Sequence, residues 1–255
     1  MKNFPPKILY FDIETAPSLG YFWGELFETD IVAVERPWFM ISFSYKWLGE
    51  KKIYTKALND YPSYHKHMED DSKLVKDLYK ILDEADVVIA HNGDKFDIRK
   101  TYARFIKHGL TPPSPFKSID TLKAARRFFK FESNKLDALA RYLGVGKKLA
   151  HTGFDLWRRC MTGDVHAWNK MKQYNRHDIV LLERVYKKLR PFITNHPNLD
   201  VYQNIGACPA CGSYHVQRRG KMVSQVRQYT RLHCEECGHW YKGVYIPQKR
   251  KFPDA

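Results

Sequence analysis

The chain has 255 residues, with 43 Lys and Arg against 28 Asp and Glu, a formal net charge of +15 at pH 7. That length holds one substantial domain and a small appendage, and the charge suits a polyanionic partner bound in a salt-dependent way. No stretch approaches a membrane span, residues 1–11 lack the apolar core of a secretion signal, and five cysteines suit metal ligation in a reducing compartment better than a disulfide framework; the expected location is cytoplasmic.

Residues 8–13 are an apolar run ending in acid, which reads as a buried strand that delivers Asp12 and Glu14 at its mouth. Residues 39–48 and 52–58 carry β-branched and aromatic side chains around Gly49 and Glu50, a hairpin pattern. A polar stretch from Asp60 to Asp71 breaks that pattern. Leu74, Val75, Leu78, Ile81 and Leu82 then recur at helical spacing over residues 72–85, with Ser72 as the candidate N-cap. "DVVIAHN" is apolar enough for the centre of a sheet, and a helix follows from Phe96 to His108. Three prolines, 112, 113 and 115, precede a further strand at 116–122. Beyond it the chain turns helical: one segment buries Leu136, Leu139 and Leu143 and stops at Gly144, and residues 163–189 hold at least one helix, read as two in succession. Strands first and helices later dominant is an α/β order around a mixed sheet. The dinucleotide-binding alternative lacks its glycine signature after the first strand.

Three acidic motifs lie along this order. Asp12 and Glu14 are two apart on an extended chain, so both side chains point to one face. Asn92, Phe96 and Asp97 open the next helix, and Tyr174 and Asp178 are i and i+4, stacked on one helical face. Each motif alone has a plain structural reading: a solvated strand end, a helix cap with a favourable first-turn acid, an aromatic facing the core. Their order as a set is more specific, because four carboxylates converging from separate elements are what two hard divalent cations require.

This set resembles the DEDD 3′–5′ exonucleases in their tyrosine version, and in particular the proofreading exonuclease domain of family B DNA polymerases. The histidine version places its base where this chain has Gln173. The resemblance covers residues 5–192 and implies a ribonuclease-H-like mixed sheet flanked by helices. It implies that Asp12, Glu14, Asp97 and Asp178 hold two Mg²⁺ or Mn²⁺ ions and that Tyr174 orients the attacking water. It further implies that Asn92, Phe96 and Thr15 contact substrate, with Phe96 packed under the site, and that nucleoside 5′-monophosphates leave from a free 3′ end. Asp120 is read equally as a cleft residue or a buried strand-end acid, and His91 and His177 are given no catalytic role. Tyr21, Phe22 and Trp23 are read as base-stacking or core residues, with core expected for at least one of them.

Pro191, His196 and Pro197 mark a linker, so the expected division is 1–192, a linker at 193–205, and 206–255. The last segment carries two Cys-x-x-Cys knuckles, Cys208 with Cys211 and Cys234 with Cys237, each followed by glycine. Four thiolates close a tetrahedral shell around one structural Zn²⁺ and leave no open position for catalysis. The module resembles a zinc ribbon; His215, His233 and His239 are redundant as ligands, and Cys160 reads as a small core residue. Arg218, Arg219, Lys221, Arg227 and Arg231 lie between the knuckles, and a basic tail follows. The expected function is a stand-alone bacterial or bacteriophage exonuclease on DNA, located in the host cytoplasm if phage-encoded and able to proofread in trans for a polymerase partner. An RNA-trimming exoribonuclease and a non-catalytic nucleic-acid adaptor are the alternatives; no membrane is expected as a partner.

Overall fold

A computed structural model gives the fold and describes residues 5–24, 30–202 and 206–247. The chain divides into two compact units, Lys7–Val185 and a smaller one beginning at Tyr186. In the larger unit β1 (Ile8–Thr15) is the centre of a five-stranded mixed sheet. Its burial follows from its sequence: Ile8, Leu9, Tyr10 and Phe11 are all buried, as a strand covered on both faces requires. β2 (Leu19–Phe22) and β3 (Ile31–Arg36) form a separate two-stranded ribbon that the apolar pattern did not announce. Tyr21, Phe22 and Trp23 are 60%, 58% and 80% exposed, so none of the three is core, contrary to expectation.

β4 (Met40–Trp47) and β5 (Tyr54–Ala57) form the expected hairpin, and β4 runs antiparallel beside β1. Next come α1 (Ser72–Asp83), β6 (Val87–Ala90), α2 (Asp97–Lys107) and β7 (Lys117–Asp120). β6 runs parallel to both β1 and β7, giving the strand order β5-β4-β1-β6-β7. The N-cap of α1 is Asp71 rather than Ser72. The Asp71 carboxylate is fully buried and works across the fold, accepting from the Met40 backbone N–H at 2.8 Å, from Arg104, and from His108 at 2.6 Å.

The remainder of the unit is helical: α3 (Thr121–Phe128), α4 (Leu136–Tyr142), α5 (Phe154–Met161) and α6 (Val165–Leu189). The strand expected at 116–122 ends at Asp120, because that carboxylate caps α3 by accepting from the backbone N–H groups of Leu122 and Lys123. Residues 165–189 form one unbroken helix rather than two, since no proline or glycine interrupts them. Leu9, Phe11 and Ile13 join α1 residues Leu74, Leu78 and Leu82 in one hydrophobic cluster. Ile8, Tyr10, Asp12 and Glu14 therefore share the opposite face of β1. α6 reaches that face through Asn175 and, further along, through the Glu183–Lys46 ion pair at 2.5 Å.

In the smaller unit Tyr186, Leu189, Ile193 and Leu199 are buried, and the Tyr186 hydroxyl bonds His196 at 2.6 Å. The stretch read as linker at 193–205 thus contains buried anchors and a short 3₁₀ turn, Leu199–Tyr202. β8 (Val216–Val223), β9 (Gln228–Cys234) and β10 (Trp240–Ile246) form an antiparallel sheet in the order β10-β9-β8. The basic tail after Pro247 lies outside the described residues. Among those residues no helix is long and apolar enough to cross a membrane.

Candidate functional site

β1 delivers two carboxylates to one place because its pairing changes there. Parallel pairing with β6 ends at Tyr10–Ile89, so the Ile13 N–H is free, and the Asp97 carboxylate accepts it at 3.0 Å. Asp97 is the first residue of α2, and the turn before it is specific. Asn92 takes φ 66°, and a Cβ on Gly93 would stand 2.4 Å from the Ala90 Cβ, so the "HNGD" turn needs both residues. Asp120 ties this turn to β7 by accepting from the Asn92 and Asp94 backbone N–H groups. Asp120 is therefore a buried capping acid. His91, bonded to Thr121 at 2.9 Å, is held neutral by burial, its pKa lowered to about 4.

Across this end of β1 lies α6. One carboxylate oxygen each from Asp12, Glu14 and Asp178 lies within 4.8 Å of the others. Asp97 stands outside that group of three but close enough to be the leading charge raising the Asp12 pKa after burial. Burial and mutual repulsion push the whole cluster upward. Glu14 rises to about 8, through burial first and Asp178 next, and Asp97 rises to about 7 through burial. Asp12 and Asp178 also rise, again with burial as the main cause. Acids clustered at such cost in ionisation are a functional signature rather than a stabilising one.

Two residues that sequence reasoning missed hold this cluster together. Asn175, fully buried, donates to the Asp12 carboxylate at 2.6 Å and accepts from the Ser42 hydroxyl at 3.3 Å. It lies three residues before Asp178 on α6, a spacing that shares its face, but an uncharged side chain gave no signal of its own. Lys148 places its ammonium 2.6 Å from Asp178 and 2.9 Å from the Tyr174 hydroxyl. Burial opposes its charge, yet Asp178 and Tyr174 outweigh that and hold its pKa above the usual lysine range.

Lys148 arrives on a loop pinned along α6. The Lys147 carbonyl accepts from His177 at 2.7 Å and the Val145 carbonyl from Arg184 at 3.0 Å. Gly146, at φ 143°, lets the backbone approach Leu181 where a Cβ would meet its side chain at 2.9 Å. His177 thus faces away from the acids, as expected. With two adjacent lysines in "GVGKKLAHTG", no sequence signal singles out Lys148.

Around Tyr174 the wall is aromatic: His151 and Trp157 meet its ring edge-on at 5.0 and 5.9 Å, and the Trp157 indole also donates to Glu14. Burial, then Asp178, pushes the Tyr174 hydroxyl up to about 12, so it stays protonated as a donor. Thr15 lines a cavity of about 310 Å³ with Trp38, Lys100, Phe154 and Trp157. Phe96 is 36% exposed beside Lys100 rather than packed under the acids, and half-buried Asn92 sits on the turn that leads to Asp97.

The four cysteine sulfurs of the smaller unit also converge within 4.8 Å. Cys208 and Cys237, and likewise Cys211 and Cys234, stand 3.7 Å apart, far beyond a disulfide and close to the edge of a tetrahedron with metal–sulfur bonds of about 2.3 Å. His239 is bonded to the Pro191 carbonyl at 2.9 Å and lies outside the group of four sulfurs. Cys160 is buried in the larger unit, its thiol pushed up to about 12 by burial, as a core residue would be.

Residues 27–190 match the RNase_H superfamily, well over half of the chain. The chain belongs to that superfamily. Asp12 and Glu14 precede the matched span. Among solved structures the chain is similar to the family B DNA polymerase of the hyperthermophilic archaeon Pyrobaculum calidifontis, with a TM-score of 0.55 and 14% identity over 89% of this chain. It spans 32% of that polymerase, and at such identity the likeness is one of fold. No curated protein sequence matches it.

Proposed function

We propose that the chain is a metal-dependent 3′–5′ exonuclease of the tyrosine-type DEDD group, acting on DNA and releasing nucleoside 5′-monophosphates. The observation that carries this reading is the convergence of Asp12, Glu14 and Asp178 with the Tyr174 hydroxyl one lysine contact away. The donor set fits hard cations: it is made of carboxylate oxygens, and the Asp178 Oδ1 is buried without a hydrogen-bond partner. Asp12, Glu14, Asp97 and Asp178 would hold two Mg²⁺ or Mn²⁺ ions, which supply charge neutralisation of the scissile phosphate and an activated water.

The chain's own residues do the rest. Asn175 fixes the orientation of Asp12. Tyr174, protonated and backed by Trp157 and His151, presents a hydroxyl to orient the attacking water. Lys148 brings positive charge to the edge of the acid cluster, where a phosphate would enter. The net charge of +15 draws the polyanionic strand toward the site. The Cys₄ group is assigned one structural Zn²⁺ in a ribbon-like module, on the tetrahedral fit of its sulfurs. Removal of mispaired 3′ ends left by a DNA polymerase is the role proposed for this activity.

The test uses 3′-labelled and 5′-labelled DNA and RNA strands with Mg²⁺ or Mn²⁺. Mononucleotide release from the 3′-labelled DNA, with a shortening ladder from the 5′-labelled strand, is expected. Asp12→Ala should reduce turnover by several orders of magnitude while folding is kept. Preference for RNA would assign the chain to RNA trimming, and absence of cleavage on every strand would leave a nucleic-acid adaptor.

A further inference from the structure

The three-stranded sheet of the smaller unit has two unlike faces. Leu232 and Cys234 of β9, with Val216 and Tyr241 beside them in register, point to the side occupied by the cysteine cluster. Tyr229, Arg231 and His233 therefore point to the other side. Register places Trp240 opposite His233, Lys242 opposite Arg231, and Tyr245 opposite Tyr229. The open face thus carries an aromatic pair, a cation pair and a second aromatic pair, in that order. His233 and Trp240 have ring centroids 4.4 Å apart, and Tyr229 and Tyr245 are 6.0 Å apart. Arg231 lies over Trp240 at 5.5 Å, Lys242 over Tyr229 at 5.2 Å, and Arg227 over Tyr245 at 5.8 Å.

The Arg231 Nε donates to the Arg219 carbonyl at 2.7 Å, which leaves the rest of its guanidinium beside Trp240, and three further features mark this face as a binding surface. Like charges directly opposite each other on paired strands destabilise a sheet, yet Arg231 and Lys242 are Cα partners. No acid lies on the three strands themselves; Glu235, in the knuckle that follows β9, accepts from Gln217, the β8 partner of His233, and makes no ion pair with Arg231 or Lys242 among the described residues. Trp240 and Tyr245 remain 48% and 47% exposed, although large aromatic rings are normally drawn inside.

We infer that the Trp240–Arg231–Lys242–Tyr245 face of the small sheet is a binding surface for single-stranded nucleic acid, with bases stacked on the rings and phosphates held by the cations between them. A phosphate at the Arg231–Lys242 pair removes their mutual repulsion. Flat rings accept any unstacked base, so the surface holds strand without reading sequence. A duplex keeps its bases stacked inward and offers these rings nothing, which sets single strands apart as the ligand. The surface is independent of the carboxylate cluster, so the inference stands whether or not that cluster cleaves.

The test is fluorescence anisotropy of a labelled oligothymidylate with full-length, zinc-loaded protein across a salt series, with no Mg²⁺ added. Trp240→Ala is expected to weaken binding about tenfold, whereas Trp240→Phe retains most of the affinity. An Arg231→Ala and Lys242→Ala double variant should flatten the dependence of log affinity on log salt by about 1 to 1.5. Zinc content checks that each variant keeps its fold. A wild-type crosslink needs no variant: a 4-thiothymidine oligonucleotide irradiated with the intact protein should attach within residues 228–246. Unchanged affinity and salt slope in zinc-replete variants, or crosslinks confined to residues 7–185, would overturn the inference. Cleavage measured in parallel with Mg²⁺ separates the two readings. A failed cleavage assay counts against the nuclease alone, and an unchanged salt slope counts against this surface alone.

Discussion

Asn175 shows how much of the candidate site depends on a residue with no charge. Its amide donates to Asp12 and is itself steadied by Ser42, so the orientation of one carboxylate is set from two elements at once. Partners of this kind, one step behind a ligand, typically cost 10–100-fold in metal affinity when lost. Asn175→Ala is expected to raise the Mn²⁺ concentration giving half-maximal turnover by about that factor, with turnover largely recovered at saturating metal. A turnover defect that excess metal leaves untouched would show that Asn175 does not act through Asp12. Protonation belongs to the same scale. Glu14, raised to about 8, and Asp97, raised to about 7, bind protons more tightly in the folded chain than in the unfolded one. Their contribution is fully present below the unfolded values near 4 and is lost as pH rises through about 7 to 8. Metal-free protein should therefore become less stable between pH 5 and 8, and Mg²⁺ should restore more stability at pH 8 than at pH 5. Thermal melts at both pH values, with and without Mg²⁺, check the sign.

At the scale of elements, legibility followed periodicity. β1, β4, β6, α1 and α2 were readable because each buries one continuous apolar run or stripe. α5 and the ribbon of β2 and β3 were not, since Phe154 and the aromatic residues of β2 are exposed and leave no buried period to detect. Of the candidate site, Asp12 with Glu14 and Tyr174 with Asp178 were visible because spacing put each pair on one face, and Asp97 through the motif it forms with Asn92 and Phe96, which carries the family resemblance. Lys148 was not, because its place depends on a glycine-permitted loop lying along α6. Asp71 is only the end of a polar stretch in the sequence, yet it joins elements by long-range contacts that no local pattern encodes. It accepts from the N–H of Met40 at the start of β4 and from Arg104 and His108 at the end of α2. Arg104 is itself buried, so Asp71→Ala leaves an uncompensated cation and an unpaired backbone donor. The expected loss is about 3–5 kcal/mol of unfolding free energy, read by urea titration. A loss below about 1 kcal/mol would mean that water replaces the carboxylate and that the pair is no more than a surface ion pair in effect.

For the whole molecule, the two units differ in what keeps them folded. The larger one has a broad apolar core spanning β1, β4, α1 and α6. In the smaller one, the cluster beneath the sheet consists of Cys208, Ala210 and Cys234, with Val216 and Tyr241 packed against it. The three strands themselves bury little beyond this cluster, Tyr186, Leu189, Ile193 and Leu199 lying before them in the chain, and modules of this size depend on a staple such as a metal. If a tetrahedral Zn²⁺ supplies that staple, its binding free energy is folding free energy for these strands. Stripping zinc with a thiol-competing reagent should release the amide-exchange protection of β8, β9 and β10, while protection of β1, β4 and β6 persists. Mg²⁺-dependent stabilisation should survive the same treatment, because the carboxylate donors contain no sulfur. Re-adding Zn²⁺ under reducing conditions should restore the lost protection. Protection of residues 216–246 that outlasts complete zinc removal would show that the sheet is held by its cross-strand packing, and that the four sulfurs, close as they are, do not carry the fold.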